Sequence, residues 1–237
     1  MNLLQSVKTQ RKSAYLKENQ FKIGNFRSRP KQTFFAPEWD CYLMEGHIKD
    51  VNWKSFAKYI LEKESFIKQL PIRSSGVLDG YTGLGKDSTT AHFSQYNVLE
   101  WDHPAVPLIR NAIIELHERF LDYFKQKYPP ALWAQCWVNV VRKGQHIAAH
   151  LHTTAPDAYL GGQITVKTQD TSTCYINPVN QINEPEEIKS LNKVGKLTLF
   201  QNYMPHYTTP YNGEEQRITL AMDLSLAQNK NNFIKLV

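Results

Sequence analysis

The segment Gln145-His146-Ile147-Ala148-Ala149-His150-Leu151-His152 sets three histidines within seven residues. On an extended strand, side chains two apart share a face, so His150 and His152 project together, about 6–7 Å apart. Both imidazoles can then bend onto one ion at roughly 2.1 Å. Ala148 and Ala149 leave room for an approaching ligand, and His146 shares the face as a spare ligand or supporting group. A further histidine stands at a turn in Asn202-Tyr203-Met204-Pro205-His206-Tyr207. From Gln216 to Leu224, Ile218, Leu220, Met222 and Leu224 alternate with Arg217, Thr219, Ala221 and Asp223. The apolar face belongs to a hydrophobic layer, so Arg217 and Thr219 point the other way. If that way is inward, Arg217 is a buried cation that needs an anion. A dicarboxylate co-substrate would supply one, because the planar guanidinium meets a carboxylate with two charge-assisted hydrogen bonds.

The elements that must hold these residues divide the chain. Residues 1–32 carry eight basic side chains against the single acid Glu18. They read as a solvated, partly disordered leader, which could also touch nucleic acid or an acidic partner. Residues 33–237 form the folded domain. Asp40 to Glu45 suits a first strand, and Asp50 offers an N-cap. Trp53, Phe56, Ala57, Ile60 and Leu61 then recur at helical spacing. A second helix begins near Asp102 with Pro104 in its first turn, carries a stripe from Ile109 to Phe124, and stops at Pro129-Pro130. Segments 132–142, 145–152, 159–167, 172–176, 195–201 and 215–224 are short, β-rich and separated by turn residues. Helices followed by antiparallel strands predict a mainly β fold, a sandwich or barrel with both helices on the outer face of the larger sheet.

With those residues in hand, the chain resembles the Fe(II)/2-oxoglutarate-dependent oxygenase superfamily, and most closely a branch of it found in bacteria and phages. That branch has a Trp-x-Asn strand, an H-x-H element, a Leu-Ser-Gly strand and a closing Pro-His…Arg-Ile-Ser. Here the elements read Trp137-Val138-Asn139, His150-Leu151-His152, Leu160-Gly161-Gly162 and Pro205-His206…Arg217-Ile218-Thr219. The resemblance spans roughly residues 33–225. It implies a double-stranded β-helix (jelly roll) braced by N-terminal helices, and an enzyme that hydroxylates its substrate with O₂ while releasing succinate and CO₂. His150, His152 and His206 would hold Fe(II). Arg217, helped by Thr219, would anchor the far carboxylate of 2-oxoglutarate, with Asn139, Gln163 and Thr165 hydrogen-bonding the same co-substrate. The chain departs from the usual two-histidine, one-carboxylate triad, for it has His152 where an acid is expected. Asp157, five residues on, is the reserve carboxylate.

Other classes of function find less support. The glycines of Gly80-Tyr-Thr-Gly-Leu-Gly-Lys-Asp-Ser lack P-loop spacing, and no Gly-x-Ser-x-Gly elbow occurs. Cys41, Cys136 and Cys174 are odd in number and flanked by aromatics. They are expected to be buried structural thiols in a reducing, cytoplasmic setting. No apolar run reaches the roughly 18 residues of a membrane helix, and no membrane partner is expected. The balance of 28 basic against 22 acidic residues is only modestly positive. His47, His92, His103 and His117 read as surface or hydrogen-bonded core residues. Residues 74–97 form a loop over the cavity mouth, where Tyr81, His92 and Tyr96 would meet the substrate: a peptidyl side chain, an amino acid or a small metabolite. Two alternatives stay open, a three-histidine cupin-like metal enzyme that ignores 2-oxoglutarate and a non-catalytic jelly-roll binding domain.

Overall fold

The computed structural model describes residues 4–7, 12–28, 33–36, 38–72, 80–152, 159–179, 186–228 and 232–237. Along the chain run β1 (Leu4–Ser6), β2 (Lys22–Arg27), β3 (Asp40–His47), α1 (Trp53–Ile67), α2 (Ala105–Tyr123) and β4 (Trp133–Val141). Then come β5 (Leu160–Lys167), β6 (Ser172–Ile176), β7 (Glu187–Leu191), β8 (Lys196–Gln201), β9 (His206–Thr208), β10 (Arg217–Ser225) and β11 (Ile234–Lys235). Eight strands form one sheet in the order β1-β2-β3-β8-β5-β10-β4-β11, and β7-β6-β9 form a second.

The period of two decides what each face of the large sheet does. Ala134, Cys136, Val138 and Val140 of β4, Ile164 and Val166 of β5, Leu197 and Leu199 of β8, and Ile218, Leu220, Met222 and Leu224 of β10 all join one core with Phe56, Ile60, Ile109, Ile113 and Leu116 of the helices. Both helices therefore pack on the outer face, as the alternation predicts. The opposite face turns toward the small sheet. Across it Thr219 stands beside both Asn139 and Thr165, and Ala221 beside Trp137 and Gln163. Gln163 Nε2 bridges the sheets by donating to Thr173 Oγ1 at 2.8 Å and Tyr175 Oη at 3.1 Å. A smaller apolar cluster, including Phe26, Leu43, Tyr175, Phe200 and Met204, closes one end of this interior.

Several expectations need correcting. The leader contributes two strands: β1 pairs with β2 and β2 with β3, and Leu16, Phe21, Ile23 and Phe26 are buried. In β2 the exposed Lys22 and Arg27 stand at the ends and the buried Ile23 and Phe26 between them, which composition alone conceals. The cap of α1 is Asn52, whose side chain accepts from the Ser55 N–H, whereas Asp50 has a positive φ. Helix α2 ends at Tyr123, well before the prolines. Residues 145–152 form no strand: His150 makes only an isolated bridge with His206. The three cysteines are free and buried, as expected. Among the described residues, no helix is long and apolar enough to cross a membrane.

Beyond its short pairing with β11 at Trp133 and Ala134, the edge of β4 away from β10 is sealed by side chains. Thr89 Oγ1 donates to the Val138 carbonyl at 2.7 Å and accepts from the Val140 N–H at 3.3 Å. Tyr96 Oη accepts from the Val138 N–H at 3.0 Å. Asn97 takes the Cys136 N–H at 3.2 Å and donates to the Ala134 carbonyl at 2.9 Å. These groups satisfy a strand edge that would otherwise need another strand.

On the core side of the sheet, His117 is buried and hydrogen-bonded to Tyr159 Oη at 2.6 Å. Burial lowers its pKa to about 4. Between pH 6.5 and 4 the unfolded chain binds this proton and the folded chain does not, so stability is full above pH 6.5 and falls as the pH drops. The loss reaches on the order of 3 kcal/mol at pH 4. Denaturation midpoints measured across this range should show that fall, and His117→Gln should flatten it by about one proton. An unchanged slope would mean that another group sets the acid limit.

Candidate metal centre

His150, His152 and His206 converge, with one ligand nitrogen from each lying within 4.8 Å of the others. His206 opens β9, whereas His150 and His152 lie outside any strand. The His150–His206 bridge, with N–H to carbonyl bonds of 3.1 Å in both directions, brings the two segments together. The His152 N–H donates to the Asn202 carbonyl at 3.3 Å and ties the next turn to the same loop.

Each ring is oriented by what its Nδ1 meets. His150 Nδ1 lies 2.8 Å from the Ala148 carbonyl, and His206 Nδ1 lies 3.1 Å from the Met204 carbonyl. A carbonyl only accepts, so both rings carry their proton at Nδ1 and present the Nε2 lone pair. His152 Nδ1 lies 2.5 Å from Asp223 Oδ1. Burial and the two neighbouring imidazoles push the pKa of His206 well below its usual value, which keeps its ring neutral and available as a ligand. Phe200, Tyr175 and Trp137 pack around the cluster. His146 is exposed and takes no part, and Asp157 lies outside the described residues.

Arg217 is buried with none of its surface exposed. Three basic side chains are buried among the described residues, and two have acids. Arg119 meets Glu115 at 2.9 Å, and Lys196 meets Glu45 at 3.2 Å. For Arg217, none of the three guanidinium nitrogens has a hydrogen-bond partner among the described residues, and neither has Thr165 Oγ1. Burial lowers its pKa to about 10. An unpaired buried cation with its full fork of donors is complementary to a carboxylate. Thr219 and Thr165 are also buried on the same interior face. Asn139 Oδ1 accepts from Thr90 Oγ1 at 2.6 Å, and the Gln163 amide is turned toward Thr173 and Tyr175.

A pocket of about 80 Å³ opens beside the histidines, lined by Thr82, Thr90, Phe93, Trp137, Asn139 and Asp223 together with His150 and His152. From the loop expected to meet substrate, the lining residues are thus Gly80, Thr82, Thr90 and Phe93. Tyr81 is exposed, His92 is buried away from the lining, and Tyr96 is spent on the edge of β4. A larger groove of about 770 Å³ lies between α1 and the β5 end of the sheet, and no histidine lines it.

Residues 135–223 match the family described as "Putative 2OG-Fe(II) oxygenase". This stretch runs from β4 into β10 and contains all three histidines, Arg217 and Asp223. No curated protein sequence matches the chain. Among solved structures it is similar to AviO1 from Streptomyces viridochromogenes Tue57, with 10% identity and a TM-score of 0.51 over 77% of this chain and 89% of that one. A prolyl-4-hydroxylase from Pseudomonas putida matches at 10% identity and a TM-score of 0.47, covering 73% of this chain and 85% of that one. A 2OG-Fe(II) oxygenase family oxidoreductase from Burkholderia pseudomallei matches at 16% identity and a TM-score of 0.41 over 56% of this chain. The chain spans 61% of that protein's length. The family's description names Fe(II) and 2-oxoglutarate. The residues present fit both: three imidazole nitrogen donors for the metal, and a buried guanidinium without an acid partner among the described residues for the dicarboxylate.

The unpaired guanidinium has a measurable cost. Its pKa is lowered by burial, so at neutral pH the folded state carries the whole penalty, on the order of 3 kcal/mol, which fades only as the pH rises through 10 toward 12.5. Arg217→Met should therefore raise the thermal stability of the ligand-free protein by about 1–4 kcal/mol. The same variant should lose the stabilisation that 2-oxoglutarate gives the wild type. A lower melting temperature for Arg217→Met would show that an acid already neutralises the group.

Proposed function

We propose that the chain is an Fe(II)- and 2-oxoglutarate-dependent dioxygenase with a double-stranded β-helix fold, which hydroxylates a peptidyl side chain, an amino acid or a small metabolite. The observation that carries this reading is Arg217, a buried cation with no hydrogen-bond partner among the described residues, on the sheet face turned toward the small sheet whose β9 brings His206 to His150 and His152. Fe(II) and 2-oxoglutarate, when bound, supply the activation of O₂, with decarboxylation to succinate and CO₂ and transfer of one oxygen atom to a C–H bond of the substrate.

The protein's part is binding, orientation and exclusion of water. The Nε2 lone pairs of His150, His152 and His206 hold the metal, their rings fixed by the acceptors at Nδ1. Arg217 would take the distal carboxylate of the co-substrate with its unpartnered N–H donors, and Thr165 and Thr219 would add hydroxyls in the adjoining row. Asn139 and Gln163 carry amides on the same face. Trp137 and Phe93, with ring centroids 5.4 Å apart, wall the pocket and keep water from the metal. Thr82 and Thr90 provide the polar contacts that orient a substrate there.

Succinate release from the purified protein, incubated with Fe(II), 2-oxoglutarate and O₂, tests the reading. Release should require both added factors and should vanish in His150→Ala and His206→Ala. Arg217→Ala should keep metal binding but weaken 2-oxoglutarate binding on the order of 10²-fold or more, as loss of a buried charge-paired contact does. Metal binding with no affinity for 2-oxoglutarate would replace the proposal with a three-histidine metal enzyme. Absence of metal binding would leave a binding domain.

A further inference from the structure

The three imidazoles differ in one respect. The Nδ1 of His150 and of His206 each face a neutral backbone carbonyl, whereas His152 Nδ1 faces the carboxylate of Asp223 at 2.5 Å. Resting on the reading of these histidines as a metal site, we infer that Asp223 is a positioning residue that acts through His152. It supplies, one bond further out, the negative charge that a two-histidine, one-carboxylate triad places directly on the metal.

Three features of the fold support the assignment. Asp223 lies on the interior face of β10, in the same alternation as Arg217, Thr219 and Ala221 and not with the apolar residues of the core. Its neighbour across β5 is Gly161, and a Cβ at Gly161 would sit 3.1 Å from His152 Nδ1 and 2.8 Å from Phe200 Cε2. Only the missing side chain at 161 lets the His152 ring lie across the strand and reach the carboxylate. The His152 side chain is almost wholly buried, with 3% of it exposed. Its ring is further held against Trp137 and Phe200 at centroid distances of 5.7 and 5.3 Å. A buried ring with one nitrogen on a carboxylate is locked with its proton at Nδ1 and its lone pair at Nε2, toward His150 and His206.

The electrostatic consequence concerns the metal. Three neutral imidazoles leave the full double positive charge on the ion's protein side. An imidazole that donates to a carboxylate is a stronger donor than one that donates to a carbonyl. Asp223 thus restores the charge count of the usual triad although position 152 is histidine. Asp223 also lines the pocket, so its charge lies at the wall of the metal site.

Calorimetric titration of the metal-free protein with Mn(II) or Co(II), without 2-oxoglutarate, tests this. Asp223→Asn keeps an oxygen acceptor and removes the charge, and Asp223→Ala removes both. Both variants should bind the metal 10- to 100-fold more weakly, while Asp157→Asn binds like the wild type. Asp223→Asn within twofold of wild type would overturn the inference, as would a loss in Asp157→Asn alone. His150→Ala separates this failure from failure of the site itself: if His150→Ala binds metal normally, the histidines are not the ligands. A second readout needs no variant. In ¹⁵N-edited spectra of the wild type, His152 should show a single tautomer protonated at Nδ1, with that proton far downfield of those of His150 and His206. A His152 ring protonated at Nε2 would sink the assignment.

Discussion

Strand β10 carries a constraint on which both halves of the molecule depend. It is hydrogen-bonded on both sides, to β4 and β5, so its register cannot slip without moving every side chain to the wrong face. One face, Ile218 to Leu224, is part of the core that the helices cover. The other carries Arg217, Thr219, Ala221 and Asp223 and so supplies both ends of the site, the guanidinium at one and the carboxylate beside His152 at the other. The apolar side fixes the strand, and a fixed strand spaces the two charges. The burial of this apolar layer must offset the cost of holding a bare cation in the interior.

The interior is divided electrostatically. Glu45, Lys196 and Ser190 form a closed set in which cation and anion satisfy each other. Arg119 and Glu115 do the same beside the N-terminal segment. Such pairs can hold a fold but attract nothing. Arg217 is left open, and the acid on the same strand face, Asp223, is six residues along and bound to a histidine. The arrangement leaves one cation open on the face of β10 and ties the carboxylate on the same face to the histidine cluster.

Much of the site was legible in the sequence because metal ligation needs particular residue types at particular spacing. His150, His152, His206 and Arg217 are found this way, and the alternation from Gln216 to Leu224 predicts the inward turn of Arg217. His150 and His152 converge as the spacing predicts, but a bridge to His206 aligns them, not a strand of their own. Asp223 went unassigned because it partners His152 across seventy residues, and no local pattern marks such a pair. Its signal was present only as an acid on the polar face of a buried strand. The strands β1 and β2 were missed because the lysines and arginines of residues 1–32 outweigh the few core residues among them. The role of Tyr96 was misread for a related reason: an aromatic in a polar loop looks the same whether it faces a substrate or seals a strand.

That seal has a consequence for how molecules reach the metal. The residues that close the β4 edge, Thr89, Tyr96 and Asn97, bracket Thr90 and Phe93, which line the pocket. Swinging this segment aside would strip several ladder groups of their partners at once. It behaves as a fixed doorpost of a pocket whose other lining residues include Gly80, Thr82 and Leu151. The shape of the post then filters what can enter before any chemistry begins.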